Sequence, residues 1–170
     1  MPGLDEFLAG LTPEANEEFS VLKGVYRAVI KHEDKAETGF TQTTFANGDT
    51  VQRFQITVDV VDVLQGNGAA GRRVWLRYNE DERGMKKLLN DLFTANLLDK
   101  VDRSSVAQLK ATLPNIAESV VYLKAWGWTP EKDRQGNAVA EGNRKSVQQG
   151  QLMSEKSVTK LIEKGEATPF

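Results

Sequence analysis

The run from Val51 to Leu64 constrains the fold more than any other part of this sequence. Phe54, Ile56, Val58 and Val60 alternate with Arg53, Gln55, Thr57 and Asp59, the period of two expected of a strand with one buried face. At Val60-Val61 the alternation breaks, and Val61 and Val63 become the apolar positions. A bulge or sharp coil at that point lets one long strand serve two sides of a barrel. The chain is therefore expected to build a strongly bent sheet.

Other segments repeat the pattern. In Ser20 to Lys31, Leu22, Tyr26, Ala28 and Ile30 share a face, while Val21, Val25 and Val29 mix with Lys23, Arg27 and Lys31 on the other. In Arg73 to Tyr78, Val74, Leu76 and Tyr78 oppose Arg73, Trp75 and Arg77. From Ser119 to Trp128, Val121, Leu123, Ala125 and Gly127 form a core-compatible face opposite Val120, Tyr122, Lys124, Trp126 and Trp128. A weaker strand falls near Ser146 to Met153. Between the third and fourth of these strands, Met85, Leu88, Leu89, Leu92, Phe93 and Leu97 form a helical stripe. A short helix comes next, from Ser104 to Ala111, capped by Ser104 or Ser105 and stopped by Pro114. The polar stretches His32 to Thr50, with its turn Asn47-Gly48-Asp49, and Thr129 to Lys145 read as long loops. Strand, strand, strand, helix, strand, strand predicts a mainly β protein with helices, a β-barrel of OB-fold type over residues 20–153. Residues 1–19 read as an N-terminal extension and 154–170 as a C-terminal helix or tail.

Composition excludes much chemistry. There is no cysteine and His32 is the only histidine, so disulfides, thiolate metal sites and histidine clusters are ruled out; neither metal nor cofactor is expected. Gly66-Asn67-Gly68-Ala69-Ala70-Gly71 has the G-x-G-x-x-G spacing of a dinucleotide loop. Such a loop must open a helix, but Arg72 to Tyr78, directly after it, alternates like a strand, so a hairpin turn is expected instead. Asp59 and Asp62, three apart on a strand, are expected on opposite faces and poorly placed as an acid/base pair. Asp81 and Glu82 sit where a helix begins and acidic groups oppose its dipole. A non-enzymatic protein is expected. No apolar run approaches the roughly 18–20 residues that span a bilayer, and Met1 to Gly10 lacks a secretory pattern, so no membrane partner and a cytoplasmic location are expected.

Charge is unevenly placed. Five of the 24 acids (Asp5, Glu6, Glu14, Glu17, Glu18) fall in residues 1–19, and none of the 22 basic residues does. The rest holds 19 acids against 22 bases, a formal charge of +3 that permits a nucleic-acid partner without demanding one. Arg73, Trp75 and Arg77 share one strand face, and Tyr122, Lys124, Trp126 and Trp128 share another. Exposed rings stack on bases without a sequence requirement, and adjacent cations meet phosphates. Arg27, Lys31 and Arg53 extend the basic track, with Lys132, Arg134, Arg144 and Lys145 in the late loop. The competing interpretation is plain packing: tryptophans on strands often belong to cores. The terminal Thr168-Pro169-Phe170 could dock into a basic-rimmed pocket of a partner, or be a frayed end.

The run Gly24-Val25-Tyr26-Arg27-Ala28-Val29-Ile30 resembles the opening strand of a family of phage-encoded single-stranded-DNA-binding proteins from replication and recombination gene clusters. The similarity extends through Phe54 to Leu64, Gly71-Arg72-Arg73-Val74-Trp75, the helix after Asn79, Val120 to Trp128 and Asn143-Arg144-Lys145-Ser146-Val147, about residues 20–153. The resemblance implies an OB fold that protects single-stranded DNA in the host cytoplasm, with replication or recombination proteins as partners and a homodimer as one possible assembly. Pro169-Phe170 is also similar to the tip of bacterial single-stranded-DNA-binding proteins, where a dense acidic run precedes it; here only Glu163 and Glu166 do, among Lys160 and Lys164. The alternative expectation is a protein-interaction module that uses the same aromatic surface.

Overall fold

The computed structural model describes residues 21–132, 136–140 and 146–165. Among them six strands form one antiparallel sheet: β1 Gly24–Lys31, β2 Gly39–Thr44, β3 Thr50–Gly66, β4 Arg73–Asn79, β5 Val120–Trp128 and β6 Val147–Met153. Helix α1 (Glu82–Thr94) and the short α2 (Val106–Thr112) lie between β4 and β5, and α3 (Glu155–Glu163) comes after β6. The hydrogen-bonded order is β2-β3-β1-β5-β6, with β4 on the other edge of β3. The acidic extension and the terminal Pro169-Phe170 lie outside the described residues, as do Arg134, Arg144 and Lys145.

Strand β3 organises the rest. Along one edge it pairs first with β2 and then with β1; along the other, Arg53–Asp59 pair with β4. The pairs Ala28↔Val60 and Arg27↔Asp62 leave Val61 unopposed, which is the bulge that the broken alternation predicts. A second irregularity, between Val25↔Gln65 and Tyr26↔Val63, leaves Leu64 extra. The first bulge also corrects the expectation for Asp59 and Asp62. The inserted residue brings Asp62 round to the outer face, opposite Arg27, while Asp59 stands opposite Val29 on that same face.

One expected loop is partly a strand. Gly39–Thr44 forms β2, hairpinned to β3 through a turn in which the Gly48 N–H donates to Phe45 O at 2.9 Å. This edge strand carries threonines instead of an apolar alternation, and β-branched residues suit a strand without burying a face. The helices therefore come after the fourth strand rather than the third. The glycine-rich turn leads from β3 into β4 with no helix between them, as expected.

The inward rows of the strands make the core. Tyr26, Ala28 and Ile30 meet Phe54, Ile56, Val58, Val60, Val74, Leu76 and Leu123, and Leu88 and Leu92 of α1 join the same cluster. Phe93, expected within the helical stripe, is instead 71% exposed. Asp81 caps α1 by accepting from the Gly84 N–H at 2.7 Å, and Ser105 caps α2 by accepting from the Gln108 N–H at 3.1 Å.

The sheet rolls up but is not closed. Strands β4 and β6 come into contact without a hydrogen-bonded ladder, and a Cβ on Gly150 would lie 2.9 Å from Leu76 Cδ2. Helix α1 bridges this seam. Its buried Asp91 accepts from the Tyr78 O–H of β4 at 2.5 Å and from the Leu152 backbone N–H of β6. Burial raises the pKa of both side chains.

Candidate functional site

The seam forms a cleft. Trp75 and Arg77 of β4, Arg53 of β3 and Lys87 of α1 line one side, and Val147 to Gly150 of β6 line the other. The alternation of β4 turns Leu76 and Tyr78 inward and leaves Trp75 40% exposed. The Arg77 guanidinium carbon lies 5.9 Å from the Trp75 ring centroid, within cation–π range, and its Nε donates to Gln55 Oε1 at 3.2 Å. Desolvation lowers the Arg77 pKa, but the guanidinium stays charged at any ordinary pH. Arg53 stands 5.8 Å from the Phe45 ring centroid at the root of the β2–β3 hairpin.

The other tryptophans lie one strand further on. Trp126 is opposite Gln149 and Trp128 opposite Val147, so β6 separates both from the cleft by one strand width. Trp128 and Val147 are 56% and 45% exposed, an apolar pair at the open end of β6. The cleft volume is about 170 Å³. Pockets that enclose a small ligand run to roughly 300–1,000 Å³, so a ligand here would lie across the cleft rather than inside it.

Not all the residues expected from the sequence share this site. Arg73 grips Asp59 through two hydrogen bonds of 2.6 and 3.0 Å and reaches Glu33 at 3.2 Å; the Asp59 bond raises its pKa. Arg27 pairs with Asp62, its Nε donating at 2.7 Å, and Lys31 pairs with Glu118 at 3.2 Å. The outer face of β3 between them is covered. Thr57 Oγ1 and Gln55 Nε2 donate to Glu37 O at 2.7 and 2.9 Å, so the turn after β1 lies over that stretch. His32 belongs to the same turn, accepting from the Thr38 N–H at 3.1 Å.

Tyr122 has a different neighbour. Helix α3 seats Val158 against Val25 and Leu64, and Tyr122, Met153, Leu161 and Ile162 pack around them. Val25 and Leu64 lie on the outer face of the sheet, so α3 roofs it there and half-buries Tyr122. Desolvation raises the Tyr122 pKa. Lys124, beyond this roof, is exposed beside Gln151. The structure thus gathers Trp75, Arg77 and Arg53 at the seam, with Trp126 and Trp128 flanking it, and sets Arg27, Lys31, Arg73 and Tyr122 apart.

Lys87, Phe45 and Gln148 join the site although no sequence pattern singles them out. Lys87 carries no usable signal, because the pattern of its helix marks only the apolar stripe. In comparison with known proteins, no family model matches the chain and no curated protein matches it.

Proposed function

We propose that this chain binds single-stranded DNA, largely without sequence preference, along the β4–β6 seam. The observation that carries the reading is Trp75. It is an exposed ring with a guanidinium beside it, at the lip of an open cleft that holds two further cations. Ring–base stacking contributes about 1–3 kcal/mol per base, and releasing counterions from phosphates makes the contact salt-sensitive. Strand pairing supports the same reading. A meander of β1, β3 and β4, a helix, and a β5–β6 hairpin returning to β1 suit an OB-type barrel with β2 added in its first loop. OB folds bind oligonucleotides on the face of their second and third strands, which correspond here to β3 and β4. The wider reading comes from the resemblance: a phage protein of DNA replication or recombination in the host cytoplasm, without catalysis of its own, working with other replication or recombination proteins and able to pair with a second copy.

All three tryptophans lie at or beside the seam, so intrinsic fluorescence reports on it directly. Titration with oligo-dT is expected to quench the emission at low salt and to lose affinity as salt rises. Absence of both effects overturns the reading.

One observation favours a second reading, a protein partner on the same surface. Arg27, Lys31 and Arg73 are already neutralised by carboxylates and offer little to a polyanion. A pulldown with and without nuclease separates the two readings, because a partner bridged by DNA disappears on digestion.

A further inference from the structure

We infer that Asp91 is a positioning residue: its buried carboxyl ties the two walls of the seam cleft, and the helix between them, into the arrangement that holds a nucleic-acid strand. The inference rests on the cleft being the DNA site, and it starts from what the seam lacks. Among the described residues no ladder joins β4 to β6, so backbone pairing does not fix how far apart Trp75 and Gln149 stand. Two other links do. Leu76 lies close against Gly150, and Asp91 accepts from the Tyr78 O–H on one side and the Leu152 N–H on the other. The first link is apolar packing, which has no direction, whereas the hydrogen bonds constrain angle as well as distance. Tyr78 itself lines the cleft, and Leu152 comes two residues after Gly150, which lines it too.

The same carboxyl places Lys87. Helix α1 touches the sheet at Gly84, where a Cβ would lie 2.0 Å from Asn79 O at the end of β4, and again at Asp91, about 10 Å further along its axis. Lys87 stands between these anchors, three residues after one and four before the other, so it lies on their side of the helix and reaches the cleft. A carboxyl is a costly way to fill a core. Asp91 is 3% exposed, and among the described residues no cation forms an ion pair with it. Apolar groups of the same shape in place of a buried hydrogen-bonded pair are nearly neutral for stability, or better. What the carboxyl adds over them is direction: it accepts from both strands and so selects one cleft geometry. A preformed cleft spares the ordering cost that binding would otherwise meet.

The test compares the full chain with three variants. Asp91→Asn is uncharged but keeps polar atoms for both links. The double variant Asp91→Leu/Tyr78→Phe removes both side-chain bonding groups at nearly constant volume. Tyr78→Phe alone cuts only the link to β4, and it serves should the double variant not fold. Oligo-dT affinity is read on the folded proteins with urea unfolding beside it, and acrylamide quenching without DNA reads how open the indoles are. The double variant is expected to bind oligo-dT about three- to tenfold more weakly and to be quenched more readily, with Tyr78→Phe in between and Asp91→Asn within about twofold of the unsubstituted chain. A shifted urea midpoint with unchanged oligo-dT affinity in every variant means a merely stabilising role and overturns the inference. An Asp91→Asn chain as weak as the double variant overturns it as well, because charge rather than bonding geometry would then matter. If none of the proteins binds oligo-dT, quenching decides: a rise confined to the variants that lose a link upholds the positioning of the cleft and refutes the DNA reading, and equal quenching throughout overturns both.

Discussion

The seam and the outer face over β1 and β3 are built from the same residue types and end differently. At the seam, Trp75 is exposed with Arg77 at 5.9 Å, and the opposite wall offers Gln148 and Gln149 rather than acids. Over β1 and β3, each cation meets a carboxylate: Arg27 with Asp62, Arg73 with Asp59 and Glu33, and Lys31 with Glu118. The aromatic group there, Tyr122, is roofed by α3. A basic and aromatic strand face thus becomes an open cleft or a self-satisfied wall according to what the bulges and the last helix bring opposite it.

The comparison breaks most visibly through stability. Leu64→Ala removes a buried side chain from the cluster under α3 and is expected to cost about 2–5 kcal/mol in urea unfolding. Oligo-dT affinity of the folded protein should not change, since the roof lies away from the seam; a parallel loss of affinity would merge the two regions into one site. Next comes Trp75→Ala, expected to weaken oligo-dT binding by about 1–3 kcal/mol with little effect on unfolding. Tyr122→Ala should do the reverse, and equal affinity losses from the two substitutions would mean that DNA also crosses the outer face.

Burial raises the Asp91 pKa above that of the unfolded chain, so the folded state holds the proton to higher pH. Stability is therefore greatest below the unfolded value and falls as pH rises through the window up to the folded one. Tyr78, also raised, adds a second fall above pH 10, where the unfolded tyrosine ionises and the folded one does not. Asp91→Asn should flatten the acidic part of a stability–pH profile; an unchanged slope would assign it to other groups. The smallest effect is expected of Asp59→Asn, which frees Arg73 from one partner. An ion pair with both partners partly open to solvent contributes about 0–1 kcal/mol, and affinity for oligo-dT should stay within about twofold. A clear gain in affinity would return Arg73 to the DNA track.

Much of this is legible in the sequence, for reasons that differ by element. The inward rows are readable because burial imposes a period of two, and the break at Val60-Val61 marks the bulge for the same reason. Strand β2 is hidden: at the sheet edge its Thr-Gln-Thr-Thr run needs no apolar alternation, so it looks like loop. The bulge is visible but its effect on Asp62 is not, because one inserted residue reverses the facing of those that follow until a second irregularity restores it. The pairing of Arg27, Lys31 and Arg73 depends on register and on which turn folds over which strand, and no local pattern records that. Phe93 fits the helical stripe by spacing alone, yet no element among the described residues packs over it. For the candidate site, Trp75, Arg77 and Arg53 are legible, whereas Lys87 and Gln148 need the seam itself.

The unstitched seam has a consequence for how copies of this chain behave beside one another. Strand edges are templates for pairing with other molecules, and here the bare edges of β4 and β6 shield each other, with α1 packed against both. Among the described residues no other strand covers the outer edge of β2 in this way, and Gly39–Thr44 carries neither charge nor proline to discourage a neighbour. Aggregation resistance in this fold therefore hangs on six uncharged residues. A lysine on that edge is the smallest change that would keep concentrated copies apart.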